Sequence, residues 1–138
     1  MALTPAQIVS KMMANDFFSQ WLGIEILETG LGICKLKATL RHEMLNGFAI
    51  AHGGISYSLS DSALAFSSNS YGKKAVSIET SISHLKQIKE NDVLTVVAKE
   101  ISRSNRIGLY EVTIHNQNNE LVSTFKGTVY VTEKDWEM

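Results

Sequence analysis

Cysteine and proline are almost missing from this chain of 138 residues; each occurs once. A lone Cys34 excludes an internal disulfide and a Cys-rich zinc site. It reads as a small apolar residue on a strand, the usual fate of a free cysteine. No cluster of His, Cys and carboxylates has ligand spacing, so no metal is expected. An excess of one charge is also lacking: 13 Lys and Arg stand against 14 Asp and Glu, a formal net charge of −1. That balance gives no basic footprint for nucleic acid and no pull toward an anionic membrane. An anionic ligand would have to be held by a local patch. Long hydrophobic runs are missing too, and nothing approaches the ~18 apolar residues of a membrane span. The start Met1-Ala2-Leu3-Thr4-Pro5 lacks the basic residues and apolar run of a secretory signal. A cytoplasmic protein is the expectation. What is present is 44% hydrophobic and 20% charged, an ordinary globular balance. The length suits one domain over 1–138 with one continuous core.

The periodicities give an order of elements. Thr4 can cap a helix that opens on Pro5, where the missing proline N–H costs nothing. Ile8, Val9, Met12 and Met13 carry its apolar stripe to about residue 14. Phe17, Phe18, Trp21 and Leu22 follow as an aromatic knot and read as core packing. Segments 23–28 and 31–40 read as strands joined by a turn at Thr29-Gly30. In the second, Ile33, Lys35 and Lys37 face one way and Cys34, Leu36 and Ala38 the other. Segment 41–51 has no clean period and reads as a loop.

A long helix is expected from Gly53 to about Ser70. Ile55, Leu59, Ala63 and Phe66 define its buried face, and small residues fill the rest. So little charge does not suit a solvated helix; it suits one wrapped by other structure and closely approached by a neighbour. Four strand-like runs follow at 74–85, 92–102, 107–116 and 121–132. The cluster Asn116-Gln117-Asn118-Asn119 makes a hairpin turn. The fold class is α+β: an antiparallel sheet packed around one central helix, with a short helix at the N-terminus. The remaining sheet face and edges call for association of subunits.

Three features coincide around the long helix. Asn46-Gly47 precedes it, His52-Gly53-Gly54 opens it, and Asp61 lies inside it. Glycines leave backbone N–H groups open at the end where the helix dipole is positive. An oxyanion developing there would be stabilised, one such donor contributing ~3–4 kcal/mol in a transition state. Each feature alone also has an ordinary structural reading: a turn before a helix, a hydrogen-bonding histidine, a carboxylate bonded to nearby serines. Spacing adds a constraint. Gly53 and Asp61 are separated by eight residues, ~12 Å of helix axis, whereas a base must come within ~3–3.5 Å of the reacting atoms. They cannot share one small centre within a chain. Two such helices antiparallel about a two-fold axis would bring Gly53 of one chain to Asp61 of the other.

The motif Asn46-Gly47-x-x-x-x-His52-Gly53-Gly54-x-x-x-x-Leu59-x-Asp61 resembles the hot-dog thioesterases of the phenylacetic-acid-degradation (PaaI-like) branch. The resemblance extends through Val76-Ser77-Ile78-Glu79, the stretch from Glu100-Ile101-Ser102-Arg103 to Gly108-Leu109-Tyr110, Asn116-Gln117 and Phe125-Lys126-Gly127-Thr128. It implies a hot-dog fold, with the sheet wrapped around the central helix. The implied activity is hydrolysis of acyl-CoA thioesters, either aryl-acetyl ones such as phenylacetyl- or hydroxyphenylacetyl-CoA, or medium-chain ones.

By that resemblance Asp61 is general base or nucleophile, and the Gly53 N–H, with Gly54 beside it, polarises the thioester carbonyl. Asn46 orients substrate or water, His52 holds the loop or the thioester, and Ser77 places a hydroxyl near the attacking water. Coenzyme A enters as part of the substrate, with no separate cofactor. Arg103, Arg106, Lys86 and Lys89 are candidates for its phosphates, beside their reading as solvated charges. The implied assembly is at least a homodimer, with a dimer of dimers, a homotetramer, as the family's habit. The chain departs from the pattern at Ala65, where some distant relatives carry a hydroxyl, and over 83–88, which lacks a proline common there. Two other readings remain open on the residues alone. One is a hydroxyacyl-thioester dehydratase or hydratase using His52 and Asp61. The other is a non-catalytic acyl-CoA-binding module.

Overall fold

The computed structural model describes residues 2–137; Met1 and Met138, the two ends of the expected domain, lie outside the described residues. Helix α1 spans Pro5–Asn15. The Thr4 hydroxyl accepts from the Gln7 N–H at 3.2 Å, and the Gln7 side chain accepts from the Thr4 N–H at 2.9 Å. Two orphan donors are thereby satisfied reciprocally. A five-residue helix α2, Phe17–Trp21, follows at once. Strands β1 (Glu25–Gly30) and β2 (Ile33–Thr39) form a hairpin. A 3-10 helix, His42–Met44, lies in the segment expected as a loop. Helix α3 spans Gly53–Ser68. Strands β3 (Lys73–His84), β4 (Val93–Arg103), β5 (Ile107–His115) and β6 (Leu121–Asp135) complete the chain.

The strands form one antiparallel sheet in the order β1-β2-β4-β5-β6-β3. Its inner face is apolar by strict alternation. Cys34, Leu36 and Ala38 on β2, Leu94, Val96 and Ala98 on β4, and Tyr110, Val112 and Ile114 on β5 are all buried. These side chains surround α3, whose Ile55, Leu59, Ala63, Leu64 and Phe66 are buried among them. Full burial of each large apolar side chain contributes ~1.5–3 kcal/mol. The helix touches β6 so closely that a Cβ on Gly127 would stand 2.5 Å from Leu64 Cδ2, so only glycine fits there without a shift.

Burial of α3 extends past the expected face to Ser56, Ser60, Ser62, Ser67 and Ser68. Hydroxyls tolerate this when they bond to their own helix. Ser56, Ser67 and Ser68 do so, donating to the carbonyls of Gly53, Leu64 and Ala65. At the C-terminus, Asn69 closes the helix. Its Nδ2 donates to the Ala65 and Ala75 carbonyls, while its Oδ1 accepts from the Ala75 N–H and Trp136 Nε1. Arg103 Nη1 donates to the Ser68 carbonyl at 3.0 Å, a cation on the negative end of the dipole.

Two expectations are corrected. The β1–β2 turn falls at Leu31-Gly32 rather than Thr29-Gly30, because Gly32 takes the positive φ of 70° that the tight turn requires. The aromatic knot is not core: Phe17 is 74% exposed, Phe18 53% and Trp21 45%, and only Leu22 is fully buried. A five-residue helix has one inward side, and Ser19 and Leu22 occupy the inward positions. Phe18 and Trp21 stack with centroids 6.0 Å apart, and the Arg41 guanidinium lies 4.8 Å over the Trp21 ring.

These burials separate two substitutions in urea denaturation. Leu59→Ala is expected to cost ~2–5 kcal/mol through lost contacts and a residual cavity. Phe17→Ala is expected to stay within about 0.5 kcal/mol of wild type in the isolated chain. Equal losses for the two would contradict the placement of α2.

Candidate active site

The loop before α3 is built around Asn46. Its Oδ1 accepts from the Phe48 N–H at 2.8 Å and the Ile50 N–H at 3.4 Å, and its own N–H donates to the Ile50 carbonyl. Ala49 sits at φ 60° inside this turn, a rare conformation for a residue with a side chain. Ala51 bridges Leu45 and donates its N–H to the Ile88 carbonyl, tying the loop to the segment after β3. Phe48, at the tip, is 86% exposed.

His52 is the N-cap of α3. Its Nδ1 accepts from the Gly54 N–H at 2.9 Å. A ring nitrogen that accepts carries no proton, so in the neutral ring the proton is on Nε2. The bond also occupies one of the two glycine N–H groups and leaves that of Gly53 as the donor at the helix mouth.

A residue that sequence reasoning missed stands over that mouth. His84, at the end of β3, places its Nε2 3.3 Å from where a Gly53 Cβ would be. Its Nδ1 lies 3.2 Å from the Ser56 hydroxyl, which donates to the Gly53 carbonyl. With that hydroxyl proton spent, His84 Nδ1–H is the donor to Ser56 Oγ, and in the neutral ring the Nε2 lone pair faces Gly53. Asn46, Gly53, Ser56, His84, Lys86 and Ile88 are among the walls of a cleft of about 350 Å³. No spacing signature marks His84. Its one sequence signal is a histidine ending a strand that must return alongside the helix.

Asp61 is half-buried on α3, two turns beyond the mouth. Burial raises its proton affinity above the ordinary carboxylate range, and the negative charge of Asp16 raises it further. Asp16 belongs to α2: it caps that helix, its Oδ1 accepting from the Ser19 N–H. Ser77 lies exposed on β3, just before a register shift at Ile78. Arg103 and Arg106 sit away from the mouth. Arg103 is held by Ser68 and the Tyr110 hydroxyl, and Arg106 Nη2 lies 2.6 Å from Glu133 Oε1. Lys86 lines the cleft and pairs with Glu120. Cys34 takes no part: burial pushes its thiol up to about 12, so it stays protonated and unreactive near neutrality. One chain thus gathers Asn46, His52, Gly53, Gly54 and His84 at the helix mouth and leaves Asp61, Ser77, Arg103 and Arg106 elsewhere.

A six-stranded antiparallel sheet wrapped on one long helix, with the helix mouth opened by glycines, is the hot-dog fold of thioester-processing enzymes. The thioesterase superfamily model matches residues 48–123, over half of the chain. The chain belongs to the thioesterase superfamily and is a thioester hydrolase. A putative esterase of Archaeoglobus fulgidus is 38% identical over 125 residues, covering 91% of this chain and 81% of that protein. The acyl-coenzyme A thioesterase PaaI of Escherichia coli is 34% identical over 116 residues, 84% of this chain and 83% of its own. The structure of the E. coli PaaI protein from the phenylacetic acid degradation operon superposes with a TM-score of 0.93 at 31% identity, over 95% of each chain. A hypothetical thioesterase of Streptococcus pneumoniae, solved with coenzyme A, gives a TM-score of 0.86 at 27% identity, over 91% of this chain and 98% of that one.

The raised proton affinity of Asp61 has a consequence for stability. The folded state holds the Asp61 proton to higher pH than the unfolded chain, whose value is 3.8. This favours folding fully below the unfolded value and is lost as pH rises through the folded value. Asp61→Asn is therefore expected to melt at a higher temperature than wild type near neutral pH, with the gap closing below about pH 4. Thermal melts at both pH values test it; a gap that does not change with pH would contradict it.

Proposed function

We propose that this chain hydrolyses acyl-CoA thioesters to free acid and coenzyme A, in a site completed by a second copy of the chain. The observation that carries the reading is the open Gly53 N–H at the mouth of α3, with Asn46, His84 and Lys86 around one cleft beside it. The Gly53 N–H polarises the thioester carbonyl. Asn46 has spent its oxygen on the loop, which leaves its NH2 group for substrate or water. His52 fixes the orientation of Gly53 and Gly54 through its cap. Asp61 of the second copy takes the proton of the attacking water, whose oxygen bonds to the carbonyl carbon. The C–S bond then breaks, and the sulfur leaves with the electron pair and is protonated. Attack by the carboxylate itself is the other form of this role. Ser77 holds the water from the β3 edge.

Two further features support the shared site. Strand β3 is a sheet edge, and its Val76 and Ile78 are 56% and 58% exposed. An unpaired apolar edge of this kind is suited to pairing with another copy. The rigid eight-residue spacing of Gly53 and Asp61 requires two helices, and a dimer of dimers is the larger assembly proposed. For the phosphates of coenzyme A, Lys86 is favoured because it lines the cleft; Lys89, Arg103 and Arg106 follow, and Arg106 would have to release Glu133. The acyl group is aryl-acetyl or medium-chain, in keeping with the exposed Phe17, Phe18 and Trp21 on the helix that carries Asp16. The chain acts as one domain in the cytoplasm; among the described residues no helix is long and apolar enough to cross a membrane. A dehydratase would need His52 and Asp61 on one substrate, and the Nδ1 of His52 is already taken by Gly54.

A panel of acyl-CoAs with thiol detection tests the activity. Wild type is expected to turn over several of them, and Asp61→Ala to lose ~100-fold or more in kcat. An equally fast Asp61→Ala would overturn the assignment. The shared site is tested by mixing unfolded Asp61→Ala and Gly53→Val chains and refolding them together. Each is expected to be inactive alone. The mixture should recover about a quarter of wild-type activity, because half of the dimers carry one intact site. No recovery from a folded mixture would count against the composite site.

A further inference from the structure

A chain of hydrogen bonds links the cap of α2 to the turn of α3 that carries Asp61. Asp16 Oδ1 accepts from the Ser19 N–H at 2.9 Å, and Asp16 Oδ2 accepts from the Ser19 hydroxyl at 2.6 Å. Ser19 Oγ lies 2.8 Å from Ser62 Oγ. Ser19 has given its only hydroxyl proton to Asp16, so Ser62 is the donor in that contact. Ser19 is fully buried and Ser62 is 9% exposed, so the bond is shielded from competing water. Ser62 is the residue next to Asp61, and Asp16 is the charge whose field reaches Asp61.

We propose that Asp16 is a positioning residue for Asp61: through Ser19 and Ser62 it fixes the turn of α3 that bears the catalytic carboxylate and sets a second negative charge beside it. This rests on the assignment of Asp61 as base or nucleophile. A base in hydrolysis needs high proton affinity while still ionised at the working pH. Partial burial supplies some of that affinity and Asp16 supplies the next part.

The other elements packed on α3 bring few competing charges to this turn. The inward residues of β2 are Cys34, Leu36 and Ala38, none of them charged, and Tyr110 of β5 is hydrogen-bonded to Glu100 and Arg103 of β4 at the far end of the helix. Strand β3 presents His84 at the mouth. Strand β6 meets α3 with Phe125 and Val129, and Lys11, the one ionisable residue of α1, is bonded to the Glu137 carbonyl.

Asp16→Asn and Ser62→Ala separate the two parts of the proposal. Asparagine caps a helix as well as aspartate, so Asp16→Asn keeps the bond from the Ser19 N–H and removes the charge, its NH2 donating to the Ser19 hydroxyl, which in turn donates to Ser62. The measurement is the pH profile of kcat/KM on an acyl-CoA that wild type hydrolyses, read with dithiodipyridine, which detects thiols in mild acid. Asp16→Asn is expected to move the acid limb down by a few tenths of a pH unit to about one unit. Ser62→Ala keeps the charge and cuts the bridge; it is expected to leave the acid limb in place and lower kcat several-fold with KM unchanged. A purely structural Asp16 would not shift the limb. If Asp61→Ala is inactive while Asp16→Asn keeps the wild-type limb, the proposal fails and the base assignment stands. If Asp61→Ala is active, both fail.

Discussion

The seating of α3 inside the curved sheet is the interaction on which the rest of the molecule depends. A sixteen-residue helix without a single basic residue would be a poor surface helix. Surrounded by Leu36, Val96, Val112 and Phe125, it is the centre of the core. Ser56, Ser67 and Ser68 can be buried because they return their hydroxyl protons to its own carbonyls. Once it is enclosed, its two ends cannot be alike. The C-terminal carbonyls are closed off by Asn69 and Arg103. The N-terminus is kept open by glycine, with a histidine cap that occupies one donor and spares the other. The helix dipole is therefore neutralised at one end and presented to a ligand at the other.

That asymmetry orders the surrounding parts. Residues from two distant stretches meet the open end: Asn46, in a turn locked by its own side chain, with His52 at the cap, and His84 where β3 ends. Further along the same helix, α2 is fastened by the Ser19–Ser62 bond, which brings its acidic cap, Asp16, close enough to act on Asp61. Positions on a rigid, buried helix are held more firmly than positions on a loop, and this suits a reaction in which small displacements cost large factors in rate.

Much of this was legible in the sequence, for identifiable reasons. Period-two alternation over 33–38 reports a sheet with one apolar face, and β2 buries Cys34, Leu36 and Ala38 on that face. The uncharged stretch after His52-Gly53-Gly54 reports an enclosed helix. The failures share a cause, which is that composition reports apolar area without saying what covers it. Phe17, Phe18 and Trp21 have the chemistry of core residues, yet a single turn of helix can point only Ser19 and Leu22 inward. His84 carries no local signal because its meeting with Gly53 joins residues 31 positions apart through the path of β3. Asp16 was equally invisible, since an aspartate before a short helix is an ordinary cap. Its link to Asp61 depends on the packing of α2 on α3, held by the contact between Ser19 and Ser62.

The spacing of Gly53 and Asp61 carries the final step. A helix is stiff, so the ~12 Å between them does not fluctuate toward contact distance. Motion of loops cannot close that gap either, because both residues belong to the same buried element. For the composite site proposed above, catalytic competence is then a property of association and not of the single fold. The exposed edge of β3, with Val76 and Ile78 on it, becomes as necessary to the chemistry as the carboxylate. Such a design couples activity to protomer concentration: below the dissociation constant of the pair, each helix stays in its sheet while the oxyanion donor and the base part company.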